Sequence, residues 1–270
     1  MTARQSRIVA QRRHSAVHNA AMSISRPLLL QTFDTLLEPE RFQDYGPNGL
    51  QVEGKLHIER LVSGVTASAA LIDAAIAARA DAIFVHHGLF WRGQDACVTG
   101  WIKQRLQRLL THDINLFAYH LPLDAHPQWG NNAQLGVELG WQANGHFGEQ
   151  GLGCLADVAY ADSAQLVAQI ERVLGRSAMA IHAHSGPITR IAWCTGGAQN
   201  YLEAAARAGA QVFITGEISE PQVHLAREMG VGFVAAGHHA TERYGAPALA
   251  AHVAQQLGIT HEFIEIDNPA

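Results

Sequence analysis

Cysteine is scarce. Cys97, Cys154 and Cys194 are scattered over 270 positions with no C-x-x-C pair, which excludes a zinc ribbon and a disulfide framework. No apolar run approaches the ~18 residues that a membrane-spanning helix needs. Charged side chains make up only 16% of the chain and the net charge is -5, so composition draws it neither to nucleic acid nor to an anionic membrane. No Walker-type glycine loop is present. Acidic residues are missing altogether from positions 1–25, which hold Arg4, Arg7, Arg12, Arg13, His14 and His18. Organelle transit peptides share that composition, but without an apolar core the stretch reads as a basic, disordered N-terminal extension outside the fold.

What is there is ample for a core. Apolar residues are 48% of a length that suits one large α/β domain or two of ordinary size, in a cytoplasmic-type protein. Histidine is abundant, at 16 residues. His14, His18, His57, His146, His182, His184, His224, His252 and His261 read as a drift away from lysine. His86, His87, His120, His126, His238 and His239 instead gather where strands are expected to end.

A first helix is expected over about Arg26 to Leu37, where Leu29, Phe33, Leu36 and Leu37 share a face before Pro39. The Gly-Pro-Asn-Gly run at Gly46 to Gly49 reads as a turn leading into a short extended segment. From Arg60 the chain repeats itself. Arg60 to Val85 reads as strand, alanine-rich helix and strand, and Arg190 to Thr215 matches it without a gap at a constant shift of 130 residues. Each copy is a βαβ unit, and each continues into a helix, a third strand and a loop rich in possible ligands. The fold class expected is α/β, two lobes built from the duplicated unit, with mainly parallel sheets. The boundaries are 26–145 for the first lobe, 146–230 for the second, and 231–270 for a strand-helix segment that returns to the site.

In open α/β sheets, sites form beyond the carboxyl ends of strands. His86-His87-Gly88 closes one predicted strand, His120 to His126 closes another, and Gly237-His238-His239-Ala240-Thr241-Glu242 closes the last. Neighbours in a regular strand point to opposite faces, so His86 and His87 are expected just past the strand end, serving two ions side by side. His238 and Glu242 share a face if the chain turns helical there. With Asp124 these make three imidazoles and two carboxylates, a mixed set that suits zinc, iron, manganese, nickel or cobalt and leaves positions open. Each cluster taken alone is better explained by a surface pair or a turn cap; their joint placement at corresponding strand ends reverses that preference toward the metal reading. His120 is the candidate general acid or base. Glu217, at the place His87 holds in the first copy, faces the cavity or begins a helix, and Arg243 is a candidate phosphate contact.

The runs Tyr45 to Val52, Val85 to Gly88, His120 to His126, Thr215 to Glu217 and Gly237 to Glu242 resemble the motifs of the GTP cyclohydrolase I type 2 homologue family. That family is also described as a dinuclear-metal-centre hexameric family, similar to a yeast transcription-factor-interacting protein. The resemblance covers roughly Ser23 to Ala270 and implies a toroidal homohexamer enclosing two divalent metal ions per chain. Its ligands would be His86, His87, Asp124, His238 and Glu242, and it assigns His239 none. It implies a metal-dependent hydrolase of a nucleotide-like small molecule; a non-enzymatic metal-loaded ring for protein interaction is the alternative.

Overall fold

The computed structural model of the protein describes residues 22–270; the extension read at positions 1–25 lies outside the described residues as far as position 21. Its last residues do take part in the fold. Ile24–Ser25 forms a short strand, β1, and Ser25 Oγ accepts from the amide of Leu28 to cap helix α1, Arg26–Leu37.

The first lobe follows as β2 (Gly49–Val52), β3 (His57–Ile58), β4 (Arg60–Thr66), α2 (Ala69–Ala77), β5 (Ala82–His87), α3 (Gly100–Thr111) and β6 (Asn115–Ala118). Two helices connect it to the second lobe, α4 (Leu121–Ala125) and α5 (Asn131–Leu139). The second lobe comprises β7 (Gly145–Phe147), β8 (Gly153–Tyr160), α6 (Ser163–Leu174), β9 (Met179–Ile181), β10 (Ile188–Trp193), α7 (Leu202–Arg207), β11 (Val212–Thr215), α8 (Glu220–Met229) and β12 (Gly232–Ala235). The chain ends with α9 (His238–Glu242), α10 (Gly245–Leu257) and β13 (Thr260–Phe263).

Two sheets result, ordered β13-β4-β5-β6-β2 and β7-β8-β10-β11-β12-β9, with β1 and β3 forming a small antiparallel pair. The centre of each sheet is parallel; antiparallel strands close the edge at β2 and both edges of the second sheet. The C-terminal segment divides between them. β12 completes the second sheet, whereas β13 lies parallel to β4 in the first, with α10 packed beneath it.

Strand alternation puts apolar residues on both faces, as a buried parallel sheet requires. Along β5, Ala82 and Phe84 join Phe33 of α1 and Val253 of α10, while Ile83 and Val85 join Leu71 of α2 and Leu109 of α3. Phe33 stacks on Phe84 at a centroid distance of 4.5 Å. In the second sheet Val212 and Ile214 face α6 and α5, and Phe213 faces α7 and α8.

The duplication extends to hydrogen bonds. Leu61 pairs with Ala82 in one copy and Ile191 with Val212 in the other, each residue shifted by 130. Asp81 Oδ2 accepts from the amides of Glu59 and Arg60, and Gln211 Oε1, at the equivalent place, accepts from those of Thr189 and Arg190. Arg79 and its counterpart Gly209 both take positive φ, 56° and 86°, where the helix turns back to the next strand.

Candidate metal centre

Each third strand, β6 or β12, feeds a five-residue helix that carries one carboxylate, Asp124 on α4 and Glu242 on α9. Both helices converge on the end of β5. The structure thus brings His86, His87, Asp124, His238 and Glu242 together from the two copies.

His86 and His87 do not lie beyond the strand, as the alternation of a regular strand led us to expect; both belong to β5. The reason is that β5 outruns its neighbour: its ladder with β6 stops at Val85, and only β4 accompanies it as far as His87, opposite Thr66. The chain that would extend β6 turns away into α4, and the two imidazoles sit side by side with ring centroids 4.4 Å apart. Asp124 likewise lies in a short helix rather than in a loop.

The five donors fall into two groups that share Glu242, and a nitrogen of His120 lies close enough to those of His86 and His87 to make a third. Glu242 Oε1 lies 3.4 Å from His86 Nε2, which is 3.6 Å from Asp124 Oδ1. Glu242 Oε2 lies 3.2 Å from His87 Nε2 and 3.1 Å from His238 Nε2. Donors around a tetrahedral ion bonded at ~2.0–2.1 Å are roughly 3.3 Å apart, so both groups have the spacing of ligand edges. His86 Nε2 and Glu242 Oε2 are buried without a hydrogen-bond partner, a costly state in a site made only of protein. This buried His/Asp/Glu cluster can bind a metal ion.

Outer contacts fix the imidazoles so that Nε2 points inward. His86 Nδ1 donates to the carbonyl of Tyr119 at 3.2 Å, His87 Nδ1 meets Thr66 Oγ1 at 3.0 Å, and His238 Nδ1 meets Glu217 Oε1 at 2.6 Å. Glu217 therefore faces the site as a support for His238. Asp124 Oδ1 accepts from Asn131 Nδ2 at 2.8 Å and from Thr195 Oγ1 at 3.3 Å. Gly196, at φ 68°, passes so close that a Cβ there would collide with Glu242 Oε1.

The charges are arranged unevenly. Burial works against a charged His86, but Asp124 and Glu242 outweigh it and raise its pKa to about 9. His238 is raised to about 9 as well, against burial, by its contacts with Glu242 and Glu217. Burial, aided by the imidazoles of His86, His120 and His238, lowers His87 to about 3 despite Glu242. Burial also pushes Asp124 up, whereas Glu242, which burial alone would raise, is held well below the usual carboxylate range by the imidazoles around it.

His120 lies beside the cluster, its ring centroid 4.9 Å from that of His86 and 5.0 Å from that of Trp91. Its Nδ1 meets Asp44 Oδ1 at 2.7 Å. The other oxygen of Asp44 accepts from Asn48 and from the amide of Leu121; against burial, His120 first and then these two contacts hold its pKa at about 2. Sequence reasoning missed Asp44, as it missed Thr195, Asn131 and Asn132. Asp44 stands beside the turn at Gly46 to Gly49 and Thr195 lies within the second copy of the repeat, but neither feature singles out the side chain.

His126 does not join the site. It accepts from the amides of Gln128 and Trp129 within its own turn. His239 contacts Glu265 instead of the cluster. Arg243, expected to meet phosphate, is paired with Glu265 Oε2 at 2.8 Å. A cavity of about 960 Å³ opens onto Asp124, His120, His238 and Glu242, and the arginines on its wall are Arg41 and Arg92.

Among the described residues no helix is long and apolar enough to cross a membrane. A Pseudomonas aeruginosa protein named GTP cyclohydrolase 1 type 2 homolog is 49% identical over 256 residues, covering 92% of this chain and 100% of its own. One of the same name from Allochromatium vinosum is 50% identical over 259 residues, covering 93% and 100%. The solved structure of protein ybgI, described as of unknown function, is similar with a TM-score of 0.88 at 44% identity, over 92% of this chain and 100% of that one. The family described as Duf34/NIF3 (NGG1p interacting factor 3) matches residues 25–269, and the chain belongs to it.

Proposed function

We propose that the protein is a dinuclear-metal-dependent hydrolase acting on a nucleotide-like small molecule. The observation that carries this reading is the division of one buried cluster into two donor groups joined by Glu242. His86 and Asp124 would hold one ion, His87 and His238 the other, and Glu242 would give one oxygen to each. Two divalent cations so held, drawn from zinc, iron, manganese, nickel or cobalt, would supply Lewis acidity and lower the pKa of a water there.

The chain's own residues do the rest. The cavity admits a small molecule beside the cluster, with Arg41 and Arg92 available to anionic groups and Tyr45, exposed on the same wall, offering a ring face to a flat base. His120, oriented through Nδ1 by Asp44, has Nε2 free to hold or move a proton at the reacting end. The names of the relatives, GTP cyclohydrolase 1 type 2 homolog, agree with a nucleotide-like substrate. A cytoplasmic homohexameric ring is part of the same reading, and the exposed Trp101, Leu110 and Val137 suit burial between subunits.

One observation favours the non-enzymatic alternative: the family takes its description from an interacting factor. A screen of nucleotides and phosphoesters with protein of defined metal content separates the two. The hydrolase reading expects turnover that is lost in Asp124→Ala and lost, with metal retained, in His120→Ala. Absence of turnover with every metal, in protein that binds two ions, would leave the scaffold.

A further inference from the structure

Glu265 follows the last strand of the first sheet and reaches across to the helix that completes the metal cluster. Its neighbours Ile264 and Ile266 pack on the face of the first sheet that also holds Leu71 and Leu109. Glu265 itself turns the other way. Its Oε1 meets His239 Nε2 at 2.6 Å and its Oε2 accepts from Arg243 Nη2 at 2.8 Å.

His239 and Arg243 immediately follow His238 and Glu242 in the chain. One carboxylate thus grips α9 at two points a turn apart, each next to a side chain that faces the cluster. Ala240 in the core, Thr241 Oγ1 at the amide of Gly196 and Glu217 at His238 also hold the helix. It is five residues long, begins at Gly237 with φ 103°, and has no side-chain cap. The segment beyond Glu265 runs along it, with the carbonyl of Ala270 accepting from the amide of His239 at 3.2 Å and from Arg176 at 3.0 Å.

Rotation matters at this distance. Turning a helix by about 10° moves an atom roughly 6 Å from its axis by about 1 Å. Metal–donor distances tolerate only about 0.2 Å. We infer that Glu265 is a positioning residue of the metal centre: by clamping His239 and Arg243 it sets the rotation of α9, and with it the places of His238 Nε2 and the Glu242 carboxylate. This rests on the reading of the cluster as a metal site.

The test is titration of metal-free wild type, Glu265→Ala and Glu265→Gln with cobalt(II), following affinity and the visible absorption that reports coordination geometry. Glu265→Ala is expected to bind cobalt about tenfold more weakly, with an altered spectrum. Glu265→Gln, which keeps an oxygen for one partner, recovers part of the affinity. Arg243→Gln weakens binding too, and adds little to Glu265→Ala because both release the same clamp. Should Glu265→Ala fail to fold, Glu265→Gln and Arg243→Gln carry the same expectation. Wild-type affinity and spectrum in the folded variants, whatever their melting temperature, would reduce Glu265 to a structural tie and overturn the inference. A wild type that takes up no cobalt would instead overturn the metal reading beneath it.

Discussion

On the dinuclear reading, metal uptake by this cluster competes with protons at both donor groups. His86 and His238, with pKa values of about 9, are protonated at neutral pH in the metal-free protein, yet each must offer a bare Nε2 to an ion. His87, lowered to about 3, is already neutral and costs nothing. Each ion therefore displaces one imidazolium proton, and between pH 6 and 8 each apparent dissociation constant should tighten about tenfold per pH unit, or about 1.4 kcal/mol. Asp124, pushed up by burial, can only steepen the dependence for the ion it shares with His86. Calorimetric titration at pH 6, 7 and 8, in buffers of different ionisation enthalpy, measures both the affinity and the protons released. The metal-free fold should show the opposite trend. A histidine whose pKa rises on folding stabilises the fold below its unfolded value near 6.5, and that contribution is lost by about 9, so the metal-free melting temperature falls over this window. An affinity that is flat from pH 6 to 8 with no proton release would refute the reasoning.

Gly196→Ala places a methyl group against Glu242 Oε1, at a backbone angle that alanine tolerates poorly. It should weaken metal binding at least tenfold, read by elemental analysis after dialysis, while the circular dichroism spectrum stays that of the wild type. Asp44→Asn removes the carboxylate that orients His120 while leaving the five clustered donors in place. Turnover in the hydrolase assay should fall about 10- to 100-fold with metal content unchanged, and equal loss of metal would assign Asp44 to the centre itself.

Much of this arrangement is written locally. Helix α1 follows from Leu29, Phe33 and Leu37 recurring on one face, and the βαβ units from apolar strands separated by alanine-rich helices. The gathering of the cluster is legible because equivalent loops in a duplicated unit leave equivalent strand ends. What the chain does not announce is long-range. Asp44 meets His120 across 76 positions, and Thr195 meets Asp124 across 71, through side chains that no periodicity marks. The pairing of β13 with β4 spans the whole fold, and the four alternating residues of β13 look the same whichever sheet they join. Proximity to Glu242 in sequence says nothing of the direction of Arg243; one step along the chain turns it toward Glu265.

The latch shared by the two copies leaves them differently exposed to acid. Burial works against the charge of Asp81, but Lys55 and the amides of Glu59 and Arg60 hold its pKa below the ordinary value, so its grip persists until the pH falls far enough to protonate it. Gln211 makes the same pair of amide contacts through a neutral side chain that has no proton to gain. Lobes descended from one plan are thus fastened by an acid-sensitive catch on one side and an acid-indifferent catch on the other.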